Sequence, residues 1–439
     1  MQRLENYITE MKKLFCLALP LMLAQLFNSG KGMVDTMMVG NIDKFSLAGL
    51  SLANGVFMLV ILFGAGVGAA LVATLSRLYA QKDFEKMHFY GMQGVYLNTI
   101  IALFTAVFLF FADSLFHQLG NLDTQTTDLA GDYLKVLAII WPFASLLFIL
   151  RPILQSFVKN KEILYISGAM FIMNIPLNYI FIYDLDMGAI GSAYATAICF
   201  IFEVAALLAY ILKSKEMNIF SKCIKIDWYE IRSLLKLGTP IGLSIMLSIA
   251  LFTSVTFMLA EYGEEYVGAH HLATNFLGFV FMFGLGLNFA LVQRVSFFIG
   301  LNQVEKIKLI VVSSAALSVL VSLFTMCMTY AFRYQIADIY TNNEAIIAIA
   351  VNIFVISMLY QMFDSLQAVG TGILRAYKLN RQTFMIALFT YWVIGFGSGY
   401  YLSQDHGIYG YWYGFCICFL ASTILYFRKI YKVVWKGQC

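Results

Sequence analysis

Apolar residues run along this chain in long unbroken blocks, without the short alternations of a half-buried strand. A helix that crosses the hydrocarbon core of a bilayer needs about 20 mostly apolar residues. Twelve such blocks can be read, at 15–40, 45–76, 90–112, 136–157, 163–183, 187–212, 237–260, 266–293, 309–332, 345–374, 383–402 and 408–427. Several are longer than the bilayer core requires, which implies tilt or extension beyond the lipid. The pattern predicts an all-α integral membrane protein with twelve transmembrane helices. The polar segment before Leu14 leads straight into the first block, which holds Pro20 and an acid and has no small-residue cleavage site. It reads as a retained first span and not as a signal peptide.

The polar segments between the blocks alternate in charge. One set, which includes both termini, carries 24 Lys and Arg residues, while the other carries only Lys44, Lys135 and Arg333. Basic residues stay on the cytoplasmic side of a membrane. The bias therefore predicts cytoplasmic termini, and because a wrong span count would scramble the alternation it also supports twelve spans.

The two halves also match each other at an offset of about 220 positions. Pro20 falls on Pro240, Leu52-Ala53 on Leu272-Ala273, and Glu85-Lys86 on Glu305-Lys306. Ile153-Leu154-x-x-Phe157-x-x-Asn160-Lys161 falls on Ile373-Leu374-x-x-Tyr377-x-x-Asn380-Arg381, and Gly188-x-x-Gly191 on Gly407-x-x-Gly410. Six spans per repeat is an even number, so the halves are parallel repeats of the kind found in secondary transporters. The reading divides the chain into an N-lobe at 1–214 (spans 1–6), a polar, basic cytoplasmic linker at 215–231 and a C-lobe at 232–439 (spans 7–12).

Composition closes off other classes. Of 439 residues, 61% are hydrophobic and 12% charged, and the mean hydropathy is +0.78. Ordinary soluble domains carry about 25% charged residues. Too little polar surface remains here for a soluble or disordered chain, and a net charge of +4 is no footprint for nucleic acid. The seven cysteines show no paired metal spacing and read as small hydrophobes, without a disulfide framework or a zinc site. No P-loop, HExxH, GxSxG or haem-attachment motif occurs, so neither catalytic residues nor a cofactor are expected.

Ionisable groups inside membrane spans are costly and therefore informative. Five stand there: Lys31 and Asp35 in span 1, Arg151 in span 4, Glu203 in span 6 and Asp364 in span 10. Lys31 and Asp35 are four apart and share a helical face, either as a structural ion pair or as part of an ion-coupling site. Asn174 and Asn178, flanking Pro176 in span 5, and Thr196 in span 6 add hard oxygens suited to Na⁺ or H⁺. If the lysine holds the aspartate, a proton-linked switch follows and H⁺ coupling is favoured. Asp364 has Tyr360 one turn before it, with Gln361 and Gln367 nearby, as a transport group or as a hydrogen-bond partner between helices. Arg151 lies near the cytoplasmic end of its helix, where a snorkelling, structural role is the simpler reading. Glu203 has no evident partner in the sequence. The pair His270-His271 at the start of span 8 reads as interfacial rather than as a ligand.

These residues together resemble the multidrug and toxic compound extrusion (MATE) family, in its bacterial NorM-like branch. The resemblance covers almost the whole chain. It rests on Met33-Val34-Asp35-Thr36-x-x-x-Gly40, on Asn174-Ile175-Pro176-Leu177-Asn178-Tyr179-Ile180-Phe181 and on Ala269-His270-His271-Leu272-Ala273-Thr274-Asn275-Phe276. It continues through Tyr360-Gln361-x-x-Asp364-x-x-Gln367, Gly372-x-Leu374-Arg375-x-Tyr377-Lys378 and Tyr391-Trp392. The resemblance implies two six-helix lobes in a V with a central cleft. It also implies antiport of amphipathic organic cations against H⁺ or Na⁺ by alternating access. Asp35, Asn174, Asn178, Thr196 and Lys31 would then form the coupling site, with Na⁺ a candidate ligand of Asp35, Asn174, Asn178 and Thr196. Asp364, Tyr360 and Gln361 would serve the substrate in the C-lobe. Span 7 differs from the family pattern in holding no acid; counting back from His270, that place falls near Ser248. The expected setting is a bacterial inner membrane, with the chain a monomer whose partners are the lipid bilayer and small cationic molecules. The alternatives are a flippase for lipid-linked saccharides, which predicts a cationic cleft, and a polytopic membrane enzyme.

Overall fold

The computed structural model describes residues 2–118, 123–221 and 224–438. Lys222, Cys223 and Cys439, and the side chains of Arg3 and Lys44, lie outside the described residues. Among the described residues there is no strand. Among the described residues, twelve helices are long and apolar enough to cross a membrane. Spans 1–6 are Leu4–Gly40, Phe45–Ala80, Phe84–Phe110, Thr124–Ser156, Asn160–Asp184 and Gly188–Leu212. Spans 7–12 are Trp228–Tyr262, Glu264–Gly300, Val304–Tyr340, Glu344–Ala376, Asn380–His406 and Ile408–Val434. The longest have 37 residues, about 55 Å of helix against a hydrocarbon core of about 30 Å.

Two boundaries differ from the sequence reading for local reasons. The helix of span 1 already starts at Gln2, so the polar N-terminal segment is helical. It is held by an ion pair from Glu10 to Arg294 and by the Ser313 hydroxyl, which donates to the Tyr7 carbonyl at 3.3 Å. Span 4 begins at Thr124, well before position 136, because Asp123 caps it by accepting from the Gln125 amide at 2.8 Å. Lys135, read as a loop residue, is therefore helical and pairs with Asp113 at 2.9 Å. Pro142 removes an amide donor from span 4, and a tight turn at Ser145-Leu146 follows it and divides the span into Thr124–Ala144 and Leu147–Ser156.

The repeat is written into the backbone. Lys82 and Asn302 both take positive φ (57° and 55°), as do Val158 and Lys378 (62° and 60°), 220 positions apart in each case. In each pair a backbone amide reaches back over the helix end. Lys159 N to Leu154 O spans 2.9 Å, and Leu379 N to Leu374 O spans 3.0 Å.

The chain packs as two compact units, Leu23–Gly242 and Met1–Met22 with Leu243–Cys439. Spans 1 and 7 thus each change unit two residues beyond their proline, Pro20 or Pro240. Glycines make both exchanges possible. In the first unit, a Cβ on Gly66 would stand 2.4 Å from the Gly238 carbonyl, and one on Gly242 would stand 2.9 Å from the Leu62 carbonyl. In the second, a Cβ on Gly286 would stand 2.5 Å from the Met22 amide nitrogen. Gly66 and Gly286 are again 220 apart. Membrane helices lack a hydrophobic drive to associate and use close backbone approach through small residues instead.

Candidate functional site

In the Leu23–Gly242 unit, four helices deliver polar groups to two adjoining layers. Asp35 of span 1 is buried, at 4% exposure. It accepts a hydrogen bond from the Asn178 amide (2.6 Å) and another from the Thr196 hydroxyl (3.0 Å). Asn178 also donates to the Asn174 carbonyl oxygen at 3.1 Å, as their separation of one helical turn allows. The structure therefore brings together Asp35, Asn174, Asn178 and Thr196. The Asn178 carbonyl oxygen and the Asn174 amide nitrogen remain without hydrogen bonds. Directly after Asn178 the helix widens into a π-helical turn, Ile180–Asp184. Tyr183 on that turn donates to the Met38 carbonyl at 2.7 Å, fastening span 5 to span 1 beside Asp35.

Lys31 does not pair with Asp35. It shares the helical face, but its ammonium goes to Glu203 Oε2 at 3.3 Å and lies 5.7 Å from the Phe200 ring centre. Glu203 is fully buried and also accepts from Arg151 and, at 3.2 Å, from the Ser167 hydroxyl. Arg151 donates in addition to Asn28 Oδ1 at 3.0 Å. Glu203 satisfies both cations because a fully buried carboxylate attracts them more strongly than one already hydrogen-bonded to two neutral donors. This corrects the lysine–aspartate switch, and it gives Glu203 the partners that the sequence did not show. Arg151 is an ion-pair partner rather than a snorkelling side chain, with a quarter of its side chain exposed. The spacing carried a signal: Glu203 lies seven residues after Thr196, and Ser167 seven before Asn174, two turns along one face in each case. The four charges, Asp35, Glu203, Lys31 and Arg151, sum to zero when all are ionised.

The C-terminal half is built differently. Asp364 in span 10 is 8% exposed and has no hydrogen-bond or ion-pair partner among the described residues. Tyr360, one turn before it, packs its ring edge-on against Phe419 (4.8 Å) and Phe252 (6.2 Å). Gln361 turns away and donates to the Thr329 hydroxyl at 3.3 Å, so it does not join Asp364. Gln367 donates to the Tyr391 hydroxyl at 2.6 Å and accepts from Ser422. His270 is not interfacial: it is 1% exposed, neither ring nitrogen is hydrogen-bonded, and its ring meets Trp412 at 5.4 Å. His271 is exposed, since neighbours on a helix point about 100° apart. Sequence reasoning also missed Asn288, which donates to the Ala368 carbonyl at 2.7 Å and accepts from the buried Arg375 at 3.2 Å.

Twelve apolar spans in a parallel repeat, with carboxylates buried inside them, are the architecture of a membrane transporter. A family model described as MatE matches residues 20–180 and 240–401, once in each repeat. The chain belongs to the MatE family, the transporter family that its sequence resembles. Multidrug resistance protein MdtK of Yersinia pseudotuberculosis is 29% identical over 442 residues, covering 97% of this chain and 96% of that one. A crystal structure of a variant of the Vibrio cholerae MATE transporter VcmN superposes with a TM-score of 0.90 at 18% identity, over 98% of each chain. An outward-facing multidrug resistance MATE transporter of the MOP superfamily superposes equally well at 21% identity, over 97% of each chain. Similarity at that level speaks to the fold.

Proposed function

We propose that this chain exports amphipathic organic cations across a bacterial inner membrane in exchange for protons entering at Asp35. The observation that carries the reading is the contrast between two buried carboxylates of one unit. Glu203 holds fixed counter-ions, whereas Asp35 is held only by neutral donors, Asn178 and Thr196. A carboxylate of the second kind takes up and releases a cation without breaking an ion pair. Asp364, buried and without a partner among the described residues, serves the second half as the group that attracts a cationic substrate.

The donor set supports a proton over Na⁺ as the coupling ion. Asp35, Thr196, Asn174 and Asn178 present enough oxygens for Na⁺, but Asn178 now turns its NH₂ to Asp35 and would have to rotate its amide. A proton on Asp35 needs only the Thr196 hydroxyl to change from donor to acceptor. The smaller rearrangement favours H⁺. One charge moving down about 100 mV supplies about 2.3 kcal/mol, or about a 50-fold gradient when the exported cation does not offset it.

The test is ethidium accumulation in cells that express the wild-type chain or Asp35→Asn at equal levels. The reading expects wild-type cells to exclude the dye and variant cells to fill as cells without the protein do. Equal exclusion by both chains would overturn it.

A further inference from the structure

We propose that a groove between spans 9 and 12 seats one acyl chain of an acidic phospholipid, with its phosphate against Lys432 and Lys436. The groove has a volume of about 310 Å³ and is walled by Val311, Val312 and Ala315 of span 9 and by Phe427, Tyr431 and Trp435 of span 12, together with Ile430. That volume lies at the lower end of the range for sites that hold a small apolar ligand, ~300–1,000 Å³. Tyr431 and Trp435 stack at 5.9 Å with their rings 21° from parallel, and they leave 52% and 39% of their surfaces exposed. Aromatic side chains of this kind mark the level of the lipid headgroups.

Charge decides the occupant. Span 9 begins and span 12 ends at the same face of the membrane, so the basic residues of both gather at one end of the groove. Phe427, Tyr431 and Trp435 recur every four residues, and Arg428, Lys432 and Lys436 form a parallel row beside them. The Lys436 ammonium lies 5.7 Å from the centre of the Tyr431 ring, at the groove wall. Lys308 stands one turn before Val311 and Val312 and is paired with the exposed Glu305 at 2.7 Å, which leaves the span 12 row to meet the phosphate. No Asp or Glu occurs from Ile408 to Gln438. An apolar wall that ends in an uncompensated basic row fits a ligand with a hydrocarbon tail and an anionic head.

The experiment is native mass spectrometry of the full-length, delipidated chain with added phosphatidylglycerol or phosphatidylcholine of identical acyl chains. The wild type should retain phosphatidylglycerol at least about fivefold better, since each basic residue near the surface is worth about that factor. Lys432→Gln with Lys436→Gln should abolish the preference. Ala315→Trp, which fills the groove, should reduce retention of both lipids. Lys159→Gln with Lys161→Gln, basic residues of the other unit, should change neither result and controls for a general charge effect. Equal retention of the two lipids by the wild type, or a preference undiminished in the Lys432→Gln/Lys436→Gln chain, would overturn the proposal.

Discussion

The Glu203 carboxylate accepts from Lys31 at 3.3 Å and from Arg151 on its other oxygen, so one fully buried acid holds two cations from spans 1 and 4. Removing a partner from such a cluster leaves a charge without compensation. Glu203→Gln should destabilise the protein by about 3 kcal/mol, at the lower end of the usual range because Arg151 retains some water. Adding Lys31→Met to that variant should restore part of the loss. Thermal unfolding in detergent measures both, and the double variant should melt above the single one.

Asp364 makes the opposite prediction. Its carboxylate has no partner among the described residues, so burying its charge is an uncompensated cost. Asp364→Asn should leave stability equal or raise it by about 1 kcal/mol, while export falls at least tenfold. Stability and transport moving in opposite directions would mark a site kept for function at the expense of the fold. A variant that melts lower yet transports normally would make Asp364 a structural residue.

The glycine pair at 66 and 286 tests the exchange of helix segments. A side chain at Gly66 would meet the Gly238 carbonyl, and one at Gly286 would meet the Met22 backbone. Neither neighbour is a flexible side-chain end, so strain is unavoidable. Gly66→Leu and Gly286→Leu should each cost at least about 1–3 kcal/mol in the same detergent assay. Gly278→Leu should be mild by comparison, because no atom lies within 4 Å of the added Cβ.

A pH effect on stability arises at the loop between spans 1 and 2. Asp43 caps span 2, accepting from the Ser46 and Phe45 amides at 2.8 Å each and from the Ser46 hydroxyl. The Ser46 amide bond foremost holds its carboxyl below the usual 3.8. A lowered folded-state value means that the cap contributes in full above the unfolded pKa and is lost as pH falls through the folded one. Asp43→Ala should lower the melting temperature at pH 7, and the gap to wild type should shrink below about pH 4. A gap that stays constant down to pH 3 would show that the carboxylate does not cap.

Much of this fold was legible because the bilayer imposes one length and one polarity on every span. The twelve apolar blocks follow from that constraint, and the 220-residue repeat returns in the backbone at Lys82 and Asn302 and at Val158 and Lys378. Helix ends were harder to read: Thr124 starts span 4 far outside the apolar block because a single cap at Asp123 suffices. That Asp35, Asn174, Asn178 and Thr196 meet in one hydrogen-bonded group was readable from polar residues one or two turns apart. The partner of Lys31 was not. Proximity along one helix favoured Asp35, whereas the ammonium meets the fully buried Glu203 of span 6, which is 172 positions away. His270 was misplaced for a similar reason, since only packing against Trp412 shows which of two adjacent histidines faces inward.

The central claim, proton coupling at Asp35, is met most directly in proteoliposomes that hold ethidium and an imposed pH gradient in buffer free of Na⁺. The account predicts that the wild-type chain moves ethidium against its gradient until the pH difference collapses, and that Asp35→Asn moves none. Transport that waits for added Na⁺, or pH-driven transport that survives Asp35→Asn, would contradict it.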